Sequence, residues 1–153
     1  MATHGNKPHW PPVTALLAAA CCALPAQAAS NIVRDGSIGA GPLTALTPAG
    51  TVTRGSVSYQ NIAIPENYGQ RSGGNVFHSF SKFSVGSGDG AVFTINGPAS
   101  NVISRVTGGQ LSTISGLLKL DPGSTGSAPN FFFINPAGVT FGAKAVVDVP
   151  AAL

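Results

Sequence analysis

From Asn75 to Val149 the chain alternates short apolar segments with turn-forming residues: NVFHSFSKFSV, AVFTING, NVISRVTGG, LSTISGLLKLDPG and NFFFINPAGVTFGAKAVVDV. Segments of about four to eight β-branched or aromatic residues, bounded by Gly, Asn, Pro or Asp, predict successive strands joined by tight turns, and none of this stretch predicts a helix. Ala91, Phe93 and Ile95 share one face of a strand before the Asn96-Gly97-Pro98 turn. Val102, Ile103 and Val106 mark the next strand, which stops at Gly108-Gly109, and Leu117, Leu118 and Leu120 a further one, which stops at Asp121-Pro122-Gly123. Phe131 to Ile134 is continuously apolar, the pattern of a strand buried on both faces. It stops at Asn135-Pro136-Ala137-Gly138, after which Val139 with Phe141, and Val147 with Val149, alternate again.

The spacing of Phe77, Phe80 and Phe83 fits neither a period of two nor a helix. A parity break at a bend, with each Phe turned inward, accounts for it most simply. Upstream, Ile32, Val33, Val52 and the Leu43 to Leu46 segment are separated by Gly and Pro and predict short strands that form a lid over the first exposed edge. Gly39 and Gly41 suit positive φ or close backbone approach. Val57, Tyr59, Ile62 and Ile64 alternate up to Pro65, and Gln70 to Gly74 is predicted as an exposed loop. The turns recur at irregular intervals that suit a sandwich, a barrel or a parallel β-helix alike, so periodicity alone leaves these all-β architectures open.

The N-terminus changes the size of the expected domain. Lys7 and two histidines precede an apolar run from Val13 to Leu24, followed by Ala26-Gln27-Ala28. That order predicts a secretory signal peptide over residues 1–28 cleaved after Ala28, with a mature domain over residues 29–153. The run is shorter than the ~20 residues a bilayer span needs. Both cysteines, Cys21 and Cys22, and Trp10 fall inside this leader, and the residues before Cys21 make a poor lipidation site. The mature part then has seven Lys and Arg against five Asp and Glu. Such sparse, scattered charge offers no footprint for nucleic acid.

Candidate chemistry is thin. Beyond the leader stand one histidine, His78, one glutamate, Glu66, and the aspartates Asp35, Asp89, Asp121 and Asp148. Asp89 and Asp121 sit in Gly-Asp-Gly and Asp-Pro-Gly, where a short carboxylate commonly bonds the turn backbone. His78 neighbours Ser79 and Ser81, but adjacent strand residues point to opposite faces and no carboxylate is placed to orient the ring, so a packed histidine is expected. One histidine and no cysteine give no metal-ligand set. No catalytic residue, metal or cofactor is expected. Arg105 is expected to face solvent and to pair with Asp121 or Asp89. Asn75 is expected to bond turn backbone or to stack with other Asn side chains.

Four blocks carry a resemblance. They are Asp35-Gly36-Ser37-Ile38-Gly39, Gly74-Asn75-Val76-Phe77-His78-Ser79-Phe80-Ser81-Lys82-Phe83, Asn101 to Gly109, and Phe133-Ile134-Asn135-Pro136-Ala137-Gly138-Val139 with Phe141-Gly142. In this order the chain resembles the haemagglutination-activity domain, the N-terminal secretion domain of filamentous-haemagglutinin-like exoproteins. The resemblance covers residue 31 to the end. Position 137 departs from it slightly, being Ala where the family most often has Asn.

The resemblance implies an all-β right-handed parallel β-helix with N-terminal capping strands. It implies passage to the periplasm and then recognition by the periplasmic domains of an outer-membrane β-barrel transporter, with the product secreted or held at the cell surface. It marks Asn135, Pro136, Ala137 and Gly138 as a turn that is structural or read by the transporter, and Asn75, Phe77, His78, Ser79, Phe80 and Phe83 as the family's motif strand. Because such domains normally run on into a long shaft, which would carry any host-cell or glycan binding, the domain is expected to be incomplete at Leu153. Recognition is expected to proceed by β-strand addition. A surface adhesin acting alone on glycan or matrix is a second reading, with Tyr59 and Tyr68 as its only polar aromatics, and a β-helical polysaccharide lyase or hydrolase a remote third.

Overall fold

A computed structural model of the chain describes residues 1–2, 28–126 and 128–152. The expected leader, with Cys21, Cys22 and Trp10, lies outside the described residues except for its ends. The strands are β1 (Asn31–Arg34), β2 (Thr51–Arg54), β3 (Val57–Pro65), β4 (Gln70–Ser72), β5 (Asn75–Ser84), β6 (Asp89–Thr94), β7 (Asn101–Val106), β8 (Ser112–Ile114), β9 (Leu117–Asp121), β10 (Asn130–Ile134), β11 (Val139–Phe141), β12 (Val146–Asp148) and β13 (Ala151–Ala152).

Parallel pairing stacks them into coils. β5, β7, β10 and β13 form one sheet, β3, β6, β9 and β12 a second, and β8 with β11 a third, which Val85 joins by a bridge to Ile114. The chain is a parallel β-helix of about three turns. Antiparallel strands close its N-terminal end: β4 and β1 pair in succession along β5, and β2 pairs with β3. These partners occupy an edge that would otherwise expose unpaired backbone groups.

The interior follows from strand parity. Ile62 and Ile64, Ala91 and Phe93, and Leu118 and Leu120 point inward from successive coils of the second sheet. Val76 and Phe80, Val102 and Val106, and Phe131 do so from the first. Phe80, Phe83, Phe93 and Phe131 pack in edge-to-face and stacked pairs, with Phe80 to Phe83 at 5.0 Å and Phe93 to Phe131 at 5.2 Å between ring centres. Each such pair adds about 0.5–1.5 kcal/mol beyond its burial.

The parity break in β5 is a bulge. Val33 pairs with Lys82 and Arg34 with Phe80, so Ser81 is the extra residue, and both Phe80 and Phe83 can face the core. Phe77 does not follow them. It lies on the unbroken part of the strand, three residues before Phe80, so it faces outward and is half-buried.

Three other expectations are corrected. Leu43 to Leu46 is a loop, from which Leu46 alone is buried. Gln70 to Ser72 is strand β4, because the Gly73-Gly74 turn folds it back onto β5. Phe131 to Ile134 is buried on one face only: Phe131 points in, while strand alternation turns Ile134 to the outer face, where it is half exposed.

Two devices tie the coils together. Asn101 Nδ2 donates to Asn75 Oδ1 at 2.7 Å, and Asn130 Nδ2 donates to Asn101 Oδ1 at 3.0 Å, making a ladder across three coils. On the second sheet, the β2–β3 hairpin folds over the outer face. Val52 lies 3.0 Å from where a Cβ on Gly90 would stand, Tyr59, Val92 and Leu117 are buried outside the central core, and Arg54 reaches Asp148 on β12 at 3.0 Å.

Candidate functional site

The outer face of the first sheet is set by the same registers that build the core. Phe77, Ile103 and Phe132 are register partners on β5, β7 and β10, as are Ser79, Arg105 and Ile134. Alternation turns Val102, Ser104 and Val106 inward, so Ile103 and Arg105 must point out. A groove of about 570 Å³ follows, lined by Phe77, Ile103, Arg105, Ile134 and the turn Asn135 to Ala137. A second depression of about 280 Å³ continues it past Phe77 and Ile103 to Ile38 and Gln70 of the cap.

The turn is built by Asn135. Its Nδ2 donates to the Gln110 carbonyl and to Ser112 Oγ, both at 2.8 Å, and its Oδ1 accepts the Ala137 N–H at 2.9 Å. Gly138 takes φ +105° and its N–H closes the turn on the Asn135 carbonyl at 2.9 Å. Asn135 and Gly138 therefore shape the turn, and Pro136 and Ala137 are left exposed against the groove.

Of the motif strand, Phe77 lines both depressions and His78 borders only the smaller one. Asn75 belongs to the ladder, and Phe80 and Phe83 to the core. His78 is buried, stacked 6.3 Å from Phe80 and edge-on to Phe93 at 5.2 Å. Burial pushes its imidazole down to about 4, so it is neutral at pH 7.

Ser79 points to the opposite face, where it donates to Asp35 Oδ2 at 2.5 Å and accepts from Arg105 Nε at 2.8 Å. Partial burial would raise the Asp35 carboxyl, but bonds from Ser79, from the Ser37 backbone and hydroxyl, and from Thr107 outweigh it and hold it at about 2. Arg105 also donates to Ser37 Oγ at 3.2 Å. It is exposed, as expected, but its bonds go to hydroxyls and not to Asp89 or Asp121, which belong to the other sheet. Asp121 accepts its turn's Gly123 N–H at 2.9 Å as expected, whereas Asp89 accepts from Ser30 Oγ at 2.5 Å.

The cap that borders the groove is fastened by two arginines. Arg34 is buried and donates to the carbonyls of Tyr68, Gly41 and Ile38 at 2.9, 2.8 and 2.5 Å, with Tyr68 also beneath its guanidinium. Arg71 holds Glu66 through two bonds at 2.7 and 2.9 Å and keeps its carboxyl below the usual range. Among the described residues no three His, Cys, Asp or Glu side chains come together to hold a metal ion.

In comparison against known families, residues 43–153 match the TPS secretion domain. The chain belongs to this two-partner secretion family. No curated protein and no solved structure matches it. Within this TPS domain, sequence reasoning marked Phe77 and Asn135 to Gly138 as motif residues, with Phe77 turned inward, and did not place Ile38, Ile103 and Ile134 beside them. The signal for Ile103 was present, since it is an apolar residue at an outward position of an alternating strand.

Proposed function

We propose that this TPS domain is the export-recognition module of an exoprotein, bound in the periplasm by the periplasmic domains of an outer-membrane β-barrel transporter through the outer face of the β5–β7–β10 sheet. What carries the reading is convergence. Phe77 and the Asn135 to Ala137 turn, far apart in sequence, line one exposed apolar groove, and apolar surface left open on a secreted scaffold marks an interaction site. The groove suits recognition better than strand addition does. β2, which ends its sheet, is four residues long and closes with Arg54 engaged by Asp148, features that blunt an edge. The leader over residues 1–28 would deliver the chain to the periplasm.

The test is retention of the purified chain on the immobilised periplasmic region of the cognate transporter. Wild type is expected to be retained and Phe77→Ser with Ile134→Ser to pass through, both with unchanged circular dichroism. A folded wild-type chain that is not retained refutes the reading.

A further inference from the structure

The groove is mostly apolar, and Arg105 is the one Lys, Arg, Asp or Glu that lines it. Arg105 lines both of its halves and forms no ion pair with a carboxylate among the described residues. Asp35, the nearest acid in its network, already accepts four bonds from Ser79, Ser37 and Thr107. Arg105 uses Nε on Ser79 and one donor on Ser37, which leaves three of the five guanidinium N–H groups for another acceptor. The two serines hold the guanidinium in place, so a carboxylate binding there would meet a donor already oriented.

Ile103 and Arg105 stand two residues apart on the same face of β7, as do Phe132 and Ile134 on β10. Side chains two apart on an extended strand repeat at about 6.5–7 Å. An extended segment lying in the groove places its own alternate side chains at the same interval. We propose that the groove binds an extended segment of the transporter in which an aliphatic or aromatic residue and an Asp or Glu stand two positions apart, the apolar side chain seated on Phe77 and Ile103 and the carboxylate on Arg105. The inference rests on the transporter reading above and supplies the chemistry of the partner.

Two fluorescent peptides with capped termini probe it, Thr-Val-Thr-Phe-Thr-Asp-Thr and the same sequence with Asn in place of Asp, titrated by anisotropy against the full chain. The Asp peptide is expected to bind about tenfold more tightly than the Asn peptide, as the loss of one charge-assisted pair requires. Arg105→Gln should abolish that preference and leave Asn-peptide affinity unchanged, Arg105→Lys should restore part of it, and added salt should weaken only the Asp peptide. Equal affinity of the two peptides, or a preference that survives Arg105→Gln, overturns the inference. Retention on the transporter separates the two readings: a wild-type chain that is retained, with Arg105→Gln retained equally well, sinks this inference and leaves the transporter reading standing.

Discussion

His78 makes the fold acid-labile in a pH window of its own. The ring is almost completely buried between Phe80 and Phe93, and its protonation is pushed from 6.5 in an open chain to about 4 in the fold. Between these values the unfolded chain takes up a proton that the folded chain refuses. Stability is therefore full above 6.5 and falls as pH drops toward 4. The whole shift corresponds to about 3 kcal/mol, of which about 2.5 kcal/mol is lost by pH 4.5. That is a large part of the ~5–15 kcal/mol by which domains are stable.

The carboxylates add little in this range: a depressed carboxylate loses its contribution as pH falls through its unfolded value, so Asp35, lowered from 3.8 to about 2, acts at more acid pH, and Glu66, lowered from 4.5, begins to act only at the acid end of the series. Urea unfolding followed by Tyr emission at about pH 7.5, 6.5, 5.5 and 4.5, a series that brackets the ~6.5 of an open-chain histidine, measures the effect. His78→Phe keeps the aromatic contacts and removes the titration, so the variant's midpoint should hold where the wild type's falls. A wild type with level stability from 7.5 to 4.5, or a variant that loses stability in parallel with it, refutes the argument.

Asn101→Leu removes both ladder bonds and leaves Asn75 and Asn130 each without a partner, so it should cost about 1–3 kcal/mol in urea unfolding. Gly116→Ala places a Cβ at 2.1 Å from the Asp89 carbonyl and 2.2 Å from that of Gly86; a loss of about 2 kcal/mol or more, or failure to fold, is expected by circular dichroism. Arg34→Ala unfastens the cap loop, and limited proteolysis should then cut within residues 36–46 while wild type resists. Arg54→Ala breaks an exposed pair and should move thermal stability by no more than about 0.5 kcal/mol.

The strands were readable because each apolar run is short and bounded by turn residues, and a parity break was readable because Phe80 and Phe83 cannot share a face without one; its form as a bulge at Ser81 came from the pairing of β1 with β5. What the residues could not show was which strands stack on which. Coil length, and hence the choice of a β-helix over a sandwich, came from the resemblance and not from the irregular turns. The groove stayed hidden for the same reason. Phe77 was expected inside because large aromatics are usually buried, and Phe131 to Ile134 was expected to be covered on both faces because a run of four apolar residues carries no alternation. Arg105 was matched with the nearest acids in sequence, whereas the acid that shares its network, Asp35, lies in the cap.

The asparagine ladder also governs how such a scaffold can change length. Asn75 and Asn101 are 26 positions apart, Asn101 and Asn130 are 29 apart, and the side chains still meet within 3.0 Å. Two of the three additional residues fall between Leu117 and Asn130, a span of 13 where the corresponding stretch from Gly90 to Asn101 spans 11. Insertions and deletions that survive in evolution should collect at that corner, leaving the amide rungs as fixed milestones along the axis.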